Sequence, residues 1–125
     1  MTSNKEDWKP IEKDGDLELG ADDGKQRILV EIVSALYVPS PDLFSDADPY
    51  VSVCMRDKKL HRTKVIYNNT NPIWTLETGS LFLIEYDKNE VNPNKSRITF
   101  MLKDHDMVQK PKLLGTLHIL LRDLM

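Results

Sequence analysis

Every apolar run in this chain is short, and each is cut off by a turn former before it could fill several helical turns. The run Ile28-Leu29-Val30-Glu31-Ile32-Val33 stops short of Pro39 and Pro41, Tyr50 to Cys54 begins directly after Pro49, and Ile73 to Leu76 follows Asn71-Pro72. β-Branched and aromatic residues suit a pleated backbone, whereas Pro fixes its own φ and Asn tolerates unusual dihedrals, so the pattern reads as strand, turn, strand. Leu60 to Ile66, Ser80 to Tyr86 and Leu114 to Leu121 read as further strands, and Leu120 to Met125 as the start of a short terminal helix. Between Arg97 and Lys103, Ile98, Phe100 and Leu102 alternate with Thr99, Met101 and Lys103, the period of a half-buried strand. The run at Ile28 lacks that alternation and is expected to be covered on both faces. Short strands with no long amphipathic helix between them argue against a parallel α/β sheet and predict an all-β antiparallel sandwich.

At 125 residues, 40% of them hydrophobic and 30% charged, the chain has the size and composition of one folded domain. No stretch approaches the roughly 20 apolar residues of a membrane span, and Met1 to Pro10 lacks the basic start and apolar run of a secretory signal. The lone Cys54 cannot form an internal disulfide, which fits a reducing compartment, so a cytoplasmic chain is expected. Charge divides the sequence: residues 1–24 hold eight acids and three lysines, leaving twelve acids and fourteen bases of the chain's 20 and 17 for residues 25–125. Residues 1–24 therefore read as an acidic, mobile leader with a weak strand at Asp16 to Leu19, and residues 25–125 as the folded, mildly basic body.

Two inter-strand segments carry paired acids. Asp42 and Asp48 flank one, and Asp104 and Asp106 open another directly after Leu102-Lys103. Loops at one end of a sandwich can bring four carboxylates together, where like charges about 4 Å apart repel by a few kcal/mol at a surface-like dielectric. A hard divalent cation relieves that repulsion, and calcium, with six to eight oxygens in irregular geometry, suits loop donors better than magnesium. The alternative is that these aspartates serve local turns, as surface aspartates often do.

At these residues the chain resembles the C2 domain family, over about residues 27 to 125. The resemblance is carried by Asp42 and Asp48 six residues apart within Ser45-Asp46-Ala47-Asp48-Pro49-Tyr50-Val51, by Thr63-Lys64-Val65-Ile66 and Asn71-Pro72-Ile73-Trp74, and by Lys103-Asp104-His105-Asp106 with Leu114-Gly115. It implies an eight-stranded antiparallel Greek-key β-sandwich whose loops at one end bind calcium and dock on phospholipid, here with the last strand missing. Carried over residue by residue, Asp42, Asp48, Asp104 and Asp106 match four aspartate ligands, and the carbonyls of Pro41 and His105 match oxygen donors. The fifth aspartate is replaced: Lys112 in Lys112-Leu113-Leu114-Gly115 stands where the family has an acid. The region from Pro41 to Val51 is similar to the amino-terminal C2 domain of cytosolic phospholipases, and Arg62 to Ile66 to ferlin-type C2 repeats.

The expected function is calcium-assisted, peripheral phospholipid binding by a monomeric regulatory module, with a further domain expected beyond Met125. Leu43, Phe44, Met107 and Val108 at the loop tips read as membrane-inserting residues; the opposing reading folds one or two of them onto the sandwich end. Lys58, Lys59, Arg62 and Lys64, with Lys110 and Lys112, read as contacts to anionic lipid. Nucleic acid is disfavoured, because no aromatic stacking platform accompanies the basic run. No catalytic constellation is expected. Asp104-His105-Asp106-Met107-Val108 fits the pattern of aspartate-nucleophile phosphatases, but only seventeen residues follow Val108, too few for that fold. The alternative function is a calcium-independent C2 scaffold for protein–protein interaction.

Overall fold

The computed structural model describes residues 23–40 and 45–125. Six strands are formed among them: β1 Lys25–Glu31, β2 Pro49–Met55, β3 Lys58–Arg62, β4 Leu81–Asp87, β5 Arg97–Asp104 and β6 Lys112–Leu120. They build a two-stranded sheet, β1-β4, and a four-stranded sheet in the order β3-β2-β5-β6, with every pair antiparallel. The connections from β1 to β2, β3 to β4 and β4 to β5 pass between the sheets, giving the expected all-β sandwich. The expected leader, residues 1–24, lies outside the described residues except for Asp23 and Gly24.

The core forms where the two inner faces meet. Ile28, Phe82, Ile84 and Tyr86 of the small sheet meet Val51, Val53, Met55 and Ile98 of the large one, with Trp74 and Leu121 closing the sides. The alternation expected of β5 holds at its start: Ile98 is fully buried, whereas Arg97 is exposed. Trp74 is buried as expected of a core residue, and its indole Nε1–H donates to the Lys64 carbonyl at 3.0 Å.

Three local expectations are corrected. The β1 run is covered on one face only: Ile28 points inward and is buried, whereas Leu29 is 48% exposed. Its outer face is wet, and there Arg27 donates from Nε to the cross-strand Glu85 at 2.8 Å. Second, the strand expected over Leu60 to Ile66 divides. β3 starts earlier, at Lys58, because Arg56-Asp57 makes a two-residue turn with Arg56 at a φ of 56°. Thr63 and Ile66 leave the regular ladder yet still donate to the carbonyls of Val51 and Pro49. Third, Ile73 makes a single bridge to Ser34 instead of opening a strand, and Leu76–Thr78 is a 3-10 turn ended by Gly79 at a φ of 80°. The terminal helix is likewise a single 3-10 turn, Leu121–Leu124.

Candidate membrane-docking rim and basic groove

Strand direction decides which loops share an end. β2 and β6 start, and β5 stops, at one end of the sandwich, so the segments 32–48, 63–80 and 105–111 emerge there together. Pro49 pairs with Asp104 across the β2–β5 ladder, and that register sets Asp48 beside Asp104 although 56 residues separate them. The Asp48 N–H donates to Asp104 Oδ1 at 2.8 Å, and the His105 N–H returns to the Asp48 carbonyl at 2.9 Å. Asp48 Oδ1 accepts the Asn68 N–H at 2.7 Å, tying the 63–80 segment to the same point. Asp104 is buried and Asp48 half-buried, so two of the expected ligands are fixed by backbone pairing.

Asp106 is placed differently. Its Oδ1 accepts the Val108 N–H at 2.8 Å and the Gln109 N–H at 3.0 Å, folding the loop into a tight turn. These two backbone donors, with the Lys112 ammonium nearby, hold its carboxyl below the usual carboxylate range. Lys112 is the register partner of Asp104 on β6, so its ammonium stem starts at the acidic rim as the sequence implied. Among the described residues no three His, Cys, Asp or Glu side chains converge on one point. Asp42 and Pro41 lie outside the described residues, as do Leu43 and Phe44.

The donor chemistry nevertheless fits a hard cation. Asp48 and Asp104 each engage one carboxylate oxygen with an N–H, and the second oxygen of each accepts no hydrogen bond among the described residues. Carboxylate and carbonyl oxygens are the ligands calcium takes. What these residues lack is number, since two adjacent carboxylates and a third turned to its own loop make a partial shell.

The apolar tip of the 105–111 segment is exposed. Met107 is 90% and Val108 91% exposed, so neither folds back onto the sandwich. Other apolar residues at this end are exposed as well: Leu36, Tyr37 and Tyr67, the last with its ring edge-on to His105 at 6.0 Å between centroids.

A second feature lies on the outer face of the large sheet. Arg56, Lys59, Arg62 and Lys103, together with one acid, Asp57, and the buried His61, line a groove floored by Tyr50, Ser52, Cys54 and Met101. The Arg62 guanidinium rests 4.2 Å from the centre of the Tyr50 ring, a cation–π contact within the groove. Of the basic residues singled out in the sequence, Lys59 and Arg62 are here. Lys58 instead lines a cleft at the other end of the molecule with Asp57, Glu85, Asp87 and Glu90, and Lys64, Lys110 and Lys112 belong to neither. Lys103 was missed as a contact, although it stands on the polar side of the β5 alternation with Met101. Arg56 opens the same basic run of the sequence but was not expected to contact lipid; it sits in a turn at a positive φ that sequence assigns to Gly or Asn.

Comparison with known proteins agrees with this architecture. A family model for the C2 domain matches residues 26–125. Myoferlin of Mus musculus is 32% identical over 99 residues, 78% of this chain, and the chain spans only 4% of that protein. A protein of Arabidopsis thaliana named calcium-dependent lipid-binding protein is 34% identical over 72 residues, covering 50% of this chain and 14% of its own length. Among solved structures, human GIVD cytosolic phospholipase A2 superposes with a TM-score of 0.68 at 20% identity over 83% of this chain and 13% of that one. A C2 domain of plant extended synaptotagmin 1 gives 0.62 at 23% identity, over 78% and 70% of the two chains.

Proposed function

This chain belongs to the C2 domain family, and from that premise we propose that it docks peripherally on phospholipid membranes through the rim carrying Asp48, Asp104, Met107 and Val108, with calcium assisting. The observation that carries the reading is the pair Met107 and Val108, both about nine-tenths exposed on a turn that Asp106 folds beside the acidic pair. Two apolar side chains held outward by a folded turn stabilise nothing in the free protein. Buried at a bilayer interface, each contributes about 1.5 to 3 kcal/mol. The similarity to a protein named for calcium-dependent lipid binding supports the same direction.

On this reading calcium would be held by Asp48, Asp104 and Asp106 and the His105 carbonyl, with Asp42 and the Pro41 carbonyl supplying the remaining oxygens. The bound ion supplies positive charge that draws lipid phosphates to an acidic rim. The protein's own part is positional: β2–β5 pairing fixes Asp48 against Asp104, and the Asp106 turn presents Met107 and Val108. Lys112 opposes ion binding by repulsion and works with Lys110 toward anionic headgroups.

The basic groove favours a second, calcium-independent contact, because four cationic side chains against one acid, Asp57, line one concavity and Arg62 rests on an aromatic ring. Each adds about 1 kcal/mol near an anionic surface. Co-sedimentation with vesicles of phosphatidylcholine and phosphatidylserine in equal parts, with calcium or with chelator, tests both. Pelleting that rises with calcium supports the rim. Pelleting that ignores calcium and fades with salt assigns the contact to the groove, and no pelleting leaves the protein-interaction scaffold as the reading.

A further inference from the structure

We infer that Tyr37 and Tyr67 form a second, aromatic arm of the membrane contact, independent of the ion and separate from the Met107-Val108 tip. The inference rests on the docking reading above and extends it to residues of the 32–48 and 63–80 segments.

The starting observation is the backbone of Tyr37. Its φ is 55°, in the left-handed region that L residues with bulky side chains avoid and that Gly or Asn adopts at lower cost. Three hydrogen bonds hold the segment there. The Tyr37 N–H donates to Asn71 Oδ1 at 3.0 Å, the Ala35 N–H to the Pro72 carbonyl at 3.2 Å, and the Val38 N–H to the Thr70 carbonyl at 2.8 Å. Val38 is buried, anchoring the segment, whereas Tyr37 is 86% and Leu36 70% exposed. The fold thus clamps a tyrosine in a strained conformation while leaving its ring in water. Packing does not explain the residue, and strain of this kind concentrates at functional sites.

Tyr67 lies in a turn four residues before Asn71, the acceptor of the Tyr37 N–H. Asn68, at a φ of 53°, donates its N–H to Asp48, and the Tyr67 ring leans edge-on against His105 with 64% of the residue exposed. Contacts link the three segments at this rim: His105 to Asp48 and to the Tyr67 ring, Asn68 to Asp48, and Tyr37 to Asn71. Tyrosine is the side chain for the partner proposed: its ring enters the headgroup boundary while its hydroxyl stays hydrated. Two rings some distance from the apolar tip would fix the angle at which the sandwich meets the bilayer.

The test uses the full chain with Cys54→Ser and one new cysteine at a time, Tyr37→Cys, Tyr67→Cys, Met107→Cys or Asn89→Cys, each labelled with an environment-sensitive fluorophore. Vesicles of phosphatidylcholine and phosphatidylserine with calcium are added. Labels at positions 37, 67 and 107 should shift to the blue and the label at 89, exposed after β4 at the opposite end and outside the basic groove, should not. A shift at 107 without shifts at both 37 and 67 overturns the aromatic arm and leaves the docking reading standing. Silence at 107 as well removes both, and a shift at 89 shows adsorption without orientation, which also overturns the arm. An unlabelled variant, Tyr37→Asn, separates contact from packing. It should keep or raise the melting temperature, because Asn accepts the left-handed backbone, while lowering vesicle partition several-fold. A clear drop in melting temperature would show that Tyr37 supports the fold instead.

Discussion

Asp104 has two separable duties, and substitution can tell them apart. Its Oδ1 satisfies the Asp48 N–H, so Asp104→Ala leaves a donor unpaired in a buried place and should cost about 1–3 kcal/mol in denaturant unfolding. Asp104→Asn retains an acceptor and should fold with a smaller loss, yet show no calcium heat in calorimetric titration if the carboxylate is a ligand. Lys112 is the opposite case. It faces Asp104 in the ladder and pulls on Asp106 through space, so Lys112→Asp should tighten calcium by about tenfold, the effect of replacing a nearby repulsive charge by an attractive one in a largely aqueous setting. An unchanged titration would place the ion elsewhere. His61 makes a pH prediction independent of either. It is buried, stacked on Phe82 at 4.6 Å between centroids, and hydrogen-bonded through Nε2 to the Gly79 carbonyl. Desolvation holds its pKa below the ordinary 6.5, against the opposing pull of the Gly79 carbonyl. The unfolded chain therefore takes up the proton first, so His61 costs nothing above about pH 6.5 and destabilises progressively as pH falls below it. Thermal unfolding across that window should show the decline, and a His61→Phe variant, though less stable throughout, should lose that part of the slope. The buried role of His61 was not legible, because a histidine within a run of lysines and arginines reads as one more surface base.

At the scale of elements, the sequence exposed strand existence well and strand facing less well. Alternation in β5 predicted its inner and outer sides because the large sheet meets core on one face and water on the other. The run at β1 gave no such cue: Leu29 is apolar but projects from the outer face of a sheet that is two strands wide among the described residues. Among those residues the same narrowness leaves part of the large sheet uncovered. Leu117 pairs with Phe100 and so shares the inner face, yet it is 55% exposed, and an apolar trough of about 480 Å³ runs from Val30–Ala35 past Phe100 and Leu102 to Leu117 and Ile119. Two equal-looking core positions should therefore behave unequally. Ile84→Ala, at a fully buried site, should cost about 2–5 kcal/mol. Leu117→Ala should stay within about 1 kcal/mol, since little area is removed from water there. Equal losses in urea unfolding would mean that the trough is filled in solution. The acidic site was half legible for a related reason: spacing named Asp48 and Asp104, but only the β2–β5 register brings them together, and only the turn at Val108 and Gln109 reveals that Asp106 is partly committed to its own loop.

For the whole molecule the question is which surface meets the membrane first, and charge supplies the answer that can be measured. The groove of Arg56, Lys59, Arg62 and Lys103 lies on the outer face of the large sheet, whereas the apolar tip and the aspartates lie on its end. A flat bilayer met squarely by the end touches the tip and not the groove; one met at a tilt touches both. Electrostatic contact is screened beyond roughly 8 Å at physiological ionic strength, while burial of Met107 and Val108 is not. Neutralising the groove with Lys59→Gln and Arg62→Gln should therefore weaken binding to anionic vesicles by about fivefold for each residue at low salt, and the loss should shrink as salt is added. Binding to zwitterionic vesicles should not change. Met107→Ser with Val108→Ser should show the complementary pattern, a loss on both vesicle types that salt does not relieve. If the groove pair has no effect on anionic vesicles at any salt, the sandwich approaches end-on and the groove serves another anion. If the tip pair has no effect on either vesicle type, the rim is not the docking face. A tilted approach predicts both losses and, because the two contacts share one rigid sandwich, a quadruple variant that binds anionic vesicles more weakly than either pair alone.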